Sequence, residues 1–196
     1  MLIISWFTKF LHYLPSEFAH SIALNGLKLI YLTGILRFFR KPECHLNEES
    51  ENFDLFNIKN KLGIAAGLDK NGEYIDCLAA LGVGFVEIGT VTPRPQIGNP
   101  KPRVFRNRKT KSIVNRLGFN NKGVNYVVDR LKKKKSSVLV GTSIGKNFDT
   151  SNEKAYLDYI FCMDKVYEFS DYIAINISSP NTLDLRELSK DEYLNF

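Results

Sequence analysis

Residues 172–182 read YIAINISSPNT, an apolar, strand-like run that passes directly into a polar turn. The same arrangement precedes it three times, and helix-like segments separate the four strands. The strand-like segments are residues 62–66, 84–88, 138–142 and 172–177, and the helix-like ones are residues 73–81, 121–134 and 153–169. This alternation is typical of parallel βα units and predicts an α/β fold.

Each predicted strand ends in a turn that contains Gly or Asn together with polar side chains. In a βα-barrel such residues gather at the carboxyl ends of the strands and form the active site. A closed barrel needs eight strands and about 250 residues, so we expect the N-terminal half of a (β/α)8 TIM barrel, preceded by a small amphipathic helical domain. A doubly wound four-stranded sheet is the alternative. It is disfavoured because no strand is followed by a GxGxxG or Walker loop and the motifs occur after all four strands.

The composition is that of a globular protein, since 44% of the 196 residues are hydrophobic and 24% are charged. The formal charge of +6 suits an anionic membrane, an anionic substrate or nucleic acid. Nucleic-acid binding is disfavoured because the basic run at residues 132–135 closes a predicted helix and contains no aromatic residue. Three widely spaced cysteines, and three histidines that all precede the motifs, argue against a disulfide framework, a metal site and a histidine-based triad. We expect a reducing compartment and no bound metal.

Residues 1–41 differ from the rest of the chain because apolar and aromatic side chains recur there at helical spacing. No charge-free run reaches the ~18 residues that a membrane-spanning helix needs. We expect this segment to lie on a membrane surface, and the alternative is a helical hairpin that packs on its own domain. The acidic stretch that follows predicts a linker and barrel lead-in over residues 42–61, with the barrel itself over residues 62–196.

Three motifs contain candidate binding or catalytic residues. Residues 65–73, AAGLDKNGE, join a small-residue strand end to a lysine, although such a lysine is more often a solvated loop charge. Residues 115–121, NRLGFNN, surround a glycine with amide and guanidinium donors that suit a planar carboxylate, and a helix cap by Asn120 is the alternative. Residues 176–182, NISSPNT, place Ser179 before a proline that fixes the turn, and an ordinary strand-to-helix turn is the alternative.

These segments, in this order from Met1 to about Arg186, resemble the class 2, quinone-dependent dihydroorotate dehydrogenases. The resemblance implies oxidation of dihydroorotate to orotate by FMN, with a membrane quinone as electron acceptor, in pyrimidine biosynthesis. It also implies that Ser179 is the catalytic base that removes the C5 proton, with Phe119 and Thr182 in the positions of a relay to solvent. The soluble class 1 enzymes carry cysteine at that position, so Ser179 indicates class 2.

The resemblance further assigns residues to three sites. The implied FMN contacts are Ala66, Gly67, Leu68, Asp69, Lys70, Thr90, Ser143 and Asn176. The implied substrate contacts are Lys70, Asn115, Arg116, Leu117, Gly118, Phe119, Asn176 and Asn181, and the implied quinone contacts are His20 and Arg106. Ser143 replaces the asparagine that is usual in the family, and because a hydroxyl has a shorter reach we expect a bridging water or weaker flavin binding.

In this family a C-terminal half supplies a second flavin-contacting lysine, a further substrate-binding asparagine and the turns that bind the FMN phosphate. These features do not occur in residues 1–196. We therefore expect a truncated chain that alone neither holds FMN tightly nor turns over dihydroorotate, and that self-associates through the open half-barrel. We expect a peripheral protein on the cytoplasmic side of the cell membrane. The alternative is a non-catalytic half-barrel remnant that binds a membrane or a partner chain.

Overall fold

The computed structural model describes Trp6 and residues 9–36, 58, 61–182 and 185–189. Helix α1 is Ser16–Leu32. The later elements are β1 Gly63–Ile64, α2 Ile75–Ala79, β2 Phe85–Val91, β3 Val104–Asn107, β4 Ser112–Asn115, α3 Val124–Leu131, β5 Leu139–Ile144, α4 Ala155–Val166 and β6 Tyr172–Ile175. Short 3-10 helices are Asn152–Lys154, Tyr167–Phe169 and Leu185–Ser189. The predicted linker at 42–61 lies outside the described residues, apart from Ile58 and Lys61.

A parallel sheet forms the body of the described part of the chain. Its strands lie in the order β1-β2-β5-β6. The registers join Gly63 to Phe85, Val86 to Val140, and Ser143 to Ala174, and every pair is parallel. The α/β fold with a parallel sheet, which the sequence alternation predicts, is therefore confirmed.

The bounds of several elements differ from the predicted ones for identifiable reasons. Helix α2 begins two residues later than predicted, because the Asp69 carboxylate accepts the backbone N–H groups at the predicted helix start. Helix α3 begins three residues late, because the Asn121 side chain accepts the N–H of Gly123, whose φ is +83°. Strand β5 includes Ser143 and Ile144, which the sequence pattern assigns to a turn, because both residues pair with β6.

The sequence pattern does not predict the antiparallel hairpin of β3 and β4, which pairs Val104 with Asn115 and Asn107 with Ser112. Strand β4 is exposed along its whole length. Without a buried face, a strand shows no alternation of apolar and polar residues. The hairpin turn is also rich in charged residues, so this segment resembles a loop in sequence.

The core lies between the parallel sheet and its helices. Val86, Ile88, Val140 and Ile144 have no exposed surface. These residues occupy alternate positions on β2 and β5, so they point to the same face of the sheet. The helix side chains in the same buried cluster are Leu24, Ile75, Leu78, Val124, Val127, Val128, Leu131, Ala155, Tyr159, Cys162, Val166, Leu185 and Leu188.

The other face of the sheet carries aromatic rings over glycines. The Phe85 ring occupies the space next to Gly63, and the Tyr172 ring occupies the space next to Gly141. The Tyr172 hydroxyl donates a hydrogen bond to Glu87 Oε2 at 2.9 Å. Burial and the Glu87 carboxylate raise the pKa of Tyr172 above its ordinary value. The two glycines therefore make room for rings from neighbouring strands.

Helix α1 packs one face on the body and leaves another apolar face exposed. Glu17 Oε1 accepts hydrogen bonds from Arg103 Nη2 at 2.8 Å and Nε at 3.1 Å, and the Lys28 ammonium donates to the Glu73 carbonyl at 3.1 Å. Ala19 and Leu24 are buried. The exposed apolar side chains are Phe18, Leu29, Ile30 and Leu32. Among the described residues, no helix has both the length and the apolar character needed to cross a membrane.

We predict that Gly141→Ala lowers the free energy of unfolding by about 1–3 kcal/mol, because the added methyl group overlaps the Tyr172 ring. Gly26→Ala is the control. Among the described residues, no atom outside the local helix backbone lies within 4 Å of the position its methyl group takes. Alanine is also the better helix former, so stability rises by about 0.5–1 kcal/mol. Denaturant unfolding measures both values, and equal effects would show that the ring does not fill the space at Gly141.

Candidate active site

The carboxyl ends of the four parallel strands are joined by backbone hydrogen bonds beyond the regular ladder. Gly67 donates to the Gly89 carbonyl at 2.9 Å, Gly145 donates to Val91 at 2.8 Å, and Asn176 donates to Ile144 at 2.9 Å. The turns that follow β1, β2, β5 and β6 therefore lie side by side at one edge of the sheet. This edge is where βα folds place their functional residues.

Thr90, Ser143 and Asn176 form one hydrogen-bonded network at this edge. The Thr90 and Ser143 hydroxyl oxygens lie 3.0 Å apart, and the Asn176 side-chain amide donates to Thr90 Oγ1 at 2.8 Å. Thr90 and Ser143 are buried, and the Tyr159 hydroxyl donates to the Asn176 carbonyl at 2.9 Å. Three of the residues assigned to the flavin by resemblance are thus brought together from three strands.

The turn after β1 is fixed by Asp69 and Lys70. Asp69 is 1% exposed, and its two carboxylate oxygens accept the N–H groups of Glu73 at 2.9 Å and Tyr74 at 2.7 Å. Burial raises the pKa of Asp69. The Lys70 ammonium donates to the Gly67 carbonyl at 2.6 Å. The Asp69 side chain is therefore engaged within its own turn, while Leu68 is exposed.

The electrostatic surroundings of Lys70 favour its neutral form more than water does. Burial lowers the pKa of this lysine, and the positive charge of Arg103 lowers it further. The carboxylates of Glu17 and Asp69 oppose both effects. An anionic group bound next to Lys70 would stabilise its ammonium form, so the position suits a carboxylate ligand.

Phe119 is held in a left-handed backbone conformation by Asn121. The φ of Phe119 is +52°, which is uncommon for a residue with a side chain. The buried Asn121 amide donates to the Phe119 carbonyl at 2.7 Å and to Thr92 Oγ1 at 2.8 Å. The Phe119 ring packs against Gly145, where an added Cβ would lie 3.1 Å from the ring. Asn121 thus brings the loop that contains Gly118 and Phe119 to the strand ends.

Asn115, Ser179 and Asn181 meet at the outer side of the site. The Asn181 backbone N–H donates to Ser179 Oγ at 3.3 Å, and its side-chain amide makes a long contact of 3.4 Å to Asn115 Oδ1. Ser179 is half-buried. Arg116, by contrast, is exposed, and its Nη2 donates to the Pro102 carbonyl at 3.1 Å. Leu117 is half-buried, and Gly118 is buried.

A groove of about 810 Å³ separates the N-terminal segment from the β3–β4 hairpin. It is lined by His12, Tyr13, Leu14, Pro15, Ser16, Glu17, Phe18, Lys101, Pro102, Arg103, Val104, Phe105, Arg106 and Arg108. Arg106 Nη1 donates to the carbonyls of His12 at 3.2 Å and Leu14 at 2.8 Å, so this guanidinium holds the N-terminal segment on the hairpin.

The two residues assigned to the quinone by resemblance have different surroundings. Arg106 lines the groove, whereas His20 is not among its lining residues. His20 is half-buried. Burial and the positive charge of Lys70 lower its pKa. Among the residues that the structure describes, no cluster of three or more His, Cys, Asp or Glu side chains is arranged to hold a metal ion.

Sequence comparison identifies the family. A family model described as dihydroorotate dehydrogenase matches residues 50–196, so the chain belongs to this family. A Methylobacillus flagellatus protein named dihydroorotate dehydrogenase (quinone) is 48% identical over 92% of the chain, and a Coxiella burnetii protein of the same name is 46% identical over 98%. The aligned region is 53% of the first relative and 55% of the second. The chain thus spans about half the length of the curated relatives it matches.

Solved structures give the same result. The crystal structure of an Eimeria tenella DHODH in complex with ferulenol matches with a TM-score of 0.73 at 37% identity. The match covers 91% of this chain and 48% of that one. A ligand-free Eimeria tenella structure matches over 70% of this chain with a TM-score of 0.66. The described fold is therefore that of a dihydroorotate dehydrogenase over the matched part.

We predict that Glu17→Gln lowers the free energy of unfolding near neutral pH by roughly 1.5–3 kcal/mol, because Arg103 loses its charged partner. Burial acts to raise the pKa of Glu17, but the hydrogen bonds and charge of Arg103 hold it below its ordinary value of 4.5. A carboxyl group whose pKa is lower in the folded state stabilises the fold at pH values above its unfolded-state pKa. That stabilisation is lost as the pH falls through the folded-state pKa. The difference between wild type and variant should therefore shrink below pH 4.5.

Denaturant unfolding at a series of pH values measures this difference, and Asp149→Asn is the matched control. Its partner is Arg94 at 2.6 Å, and both side chains are more than 60% exposed. An exposed ion pair contributes less than about 1 kcal/mol, so this variant should remain close to wild type. A Glu17→Gln effect that is equally small, or that persists unchanged in acid, would contradict the role given to the Glu17–Arg103 pair.

Proposed function

We propose that the protein acts as a class 2 dihydroorotate dehydrogenase, which oxidises dihydroorotate to orotate with FMN and a membrane quinone in pyrimidine biosynthesis. The observation that carries this proposal is the Thr90–Ser143–Asn176 network at one edge of the sheet. The Ser178 N–H next to Ser179 donates to Asn176, and the turn that contains Lys70 is joined to Gly89, the residue before Thr90. The names of the two relatives at 46% and 48% identity support the quinone as acceptor.

The residues at the strand ends fit a flavin. Ala66 and Gly67 are small residues in the turn after β1, and among the described residues no atom beyond the chain neighbours lies within 4 Å of the position that a Cβ at Gly67 would take. Beside this space, Thr90, Ser143 and Asn176 offer hydroxyl and amide groups to the polar edge of a planar ring. Bound there, FMN would supply the acceptor for the hydride that leaves C6 of the substrate and the electrons for the quinone.

The neighbouring residues suit the substrate. Lys70 offers a positive charge to the carboxylate of dihydroorotate, and that carboxylate in turn favours the charged form of the lysine. Asn115 and Asn181 carry amides that can bind ring carbonyls and N–H groups. Ser179 removes the C5 proton, and Thr182, which is 4% exposed, offers a hydroxyl for proton transfer from the turn.

The N-terminal segment serves the quinone and the membrane in this proposal. The exposed apolar face of α1 is suited to the headgroup region of a bilayer. The groove opens between this segment and the hairpin, with Arg106 on its wall. We propose that residues 1–41 attach the protein peripherally to the cytoplasmic side of the membrane and that the quinone enters along the groove. We also propose His20 as a quinone contact, since it lies close enough to Lys70 for that charge to lower its pKa.

We also propose that the described sheet is the first half of an eight-stranded barrel. In the sheet order, β1 and β6 are the edge strands. Helix α4 exposes Tyr156, Leu157, Ile160 and Phe161, and an exposed apolar face of this kind commonly marks a contact surface. Residues 1–196 expressed alone would then bind FMN weakly and self-associate through these edges.

We predict that Ser179→Ala lowers the rate of flavin reduction by dihydroorotate by about 10²–10⁴-fold, because the C5 proton loses its base. FMN content should not change, since Ser179 is not part of the Thr90–Ser143–Asn176 network. Anaerobic stopped-flow absorbance of the full gene product measures the rate. The adjacent, exposed Ser178 provides the control, and Ser178→Ala should react like wild type. Equal losses in both variants, or loss of flavin with Ser179→Ala, would indicate a structural role for the turn.

We predict that the double variant Leu29→Ser, Leu32→Ser reduces binding to anionic phospholipid vesicles at least tenfold, because two exposed leucines on α1 no longer enter the membrane. Cosedimentation measures the bound fraction. Flavin reduction by dihydroorotate should stay unchanged, since neither leucine faces the body. Tyr167→Ser is the control, because Tyr167 is 71% exposed but follows α4. Unchanged vesicle binding in the double variant would refute the membrane role of α1.

A further inference from the structure

Asn99 joins two segments of the candidate substrate site that belong to different parts of the chain. Its backbone N–H donates to the Leu117 carbonyl at 3.1 Å. Its side-chain amide nitrogen donates to the Arg116 carbonyl at 2.9 Å and contacts the Asn181 carbonyl at 3.4 Å. One amide group thus spans the loop after the hairpin and the turn that contains Ser179.

The packing around Asn99 leaves little freedom for this loop. A Cβ added at Gly118 would lie 3.0 Å from both Cγ and Nδ2 of Asn99. Gly98, the preceding residue, lies against the Leu117 carbonyl so closely that it has no room for a side chain. The Asn99 amide therefore lies directly on the Gly118 backbone, and a displacement of either segment changes its contacts.

Arg103 holds Asn99 from the other side. Its side chain is 5% exposed, and Nη1 donates to the Ile97 carbonyl at 2.6 Å and the Asn99 carbonyl at 3.1 Å. Its Nε and Nη2 donate to Glu17 Oε1 on α1. The Arg103 backbone carbonyl accepts the N–H of Arg116 at 2.8 Å. A continuous set of hydrogen bonds therefore runs from α1 through Arg103 and Asn99 to residues 116–119, the substrate loop.

We propose that Asn99 is a positioning residue, which sets the distance between Asn115 and the Ser179–Asn181 turn and thereby the fit of the dihydroorotate ring. This inference rests on the proposed function and deepens it. Asn99 acts through the carbonyls of Arg116 and Asn181, while the Thr90–Ser143–Asn176 network has no hydrogen bond to it among the described residues. The binding of substrate should therefore depend on Asn99, and the binding of FMN should not.

Asn99→Asp tests the hydrogen bonds with almost no change in shape. A carboxylate has no donor, so it faces the carbonyls of Arg116 and Asn181 with a negative charge. At lower pH a protonated carboxyl group regains one donor. Asn107→Asp is the matched control. Among the described residues the Asn107 side-chain oxygen accepts the backbone N–H groups of Lys109 and Thr110, which an aspartate accepts equally well.

The experiment uses the full gene product loaded with FMN. Isothermal titration with orotate gives the Kd, and anaerobic flavin reduction gives the KM for dihydroorotate. Asn99→Asp should raise both about tenfold or more, with partial recovery towards pH 5, while FMN content and Tm stay at wild-type values. Asn107→Asp should match wild type at every pH.

Asn99→Ser, which removes the bridge without adding charge, covers the case in which the aspartate variant fails to fold. It should raise the orotate Kd with no pH-dependent recovery. An orotate Kd within twofold of wild type in either folded variant overturns the inference, and so does a loss of affinity that is matched by loss of FMN and a lower Tm. Failure of the wild-type protein to bind orotate or to reduce its flavin would instead overturn the proposed function.

Discussion

Parallel pairing of β2 with β5 is the constraint on which the rest of the structure depends. In a parallel sheet all carboxyl ends lie at one edge, so the turns after four separate strands become neighbours. Backbone hydrogen bonds from Gly67 to Gly89 and from Gly145 to Val91 continue this alignment past the ladder. Thr90 can then contact both Ser143 and Asn176, which are 53 and 86 residues away in sequence. The candidate flavin site is a direct consequence of strand register.

A second set of contacts connects this edge to the N-terminal helix. Arg103 is almost fully buried, and its donors go to Glu17 on one side and to the loop that includes Asn99 on the other. A buried guanidinium is costly unless its donors are satisfied, so α1 and the substrate loop adopt positions that satisfy it together. Arg103 therefore borders the groove and also contacts the loop that includes Asn99.

The sequence predicts the features that repeat. Alternating apolar runs predict the parallel strands, and their polar turns predict where the site lies. The sequence does not predict the β3–β4 hairpin, because β4 has no buried face and so shows no alternation of apolar and polar residues. Asn99 and Arg103 are also missed as site residues, since their importance comes from hydrogen bonds to backbone carbonyls that no sequence motif marks. A glycine beside an asparagine at residues 98–99 is the only local signal, and such pairs are common in turns.

The most direct test of the proposed site is a crystal structure of the full gene product with FMN and orotate bound. We expect the flavin ring to contact Thr90, Ser143 and Asn176 at the carboxyl ends of the strands. Orotate should lie between Lys70 and the Asn115–Asn181 pair, with the Ser179 hydroxyl next to its C5 atom. Either ligand bound at another part of the fold, or orotate placed beyond hydrogen-bonding distance of Lys70 and Asn181, would contradict it.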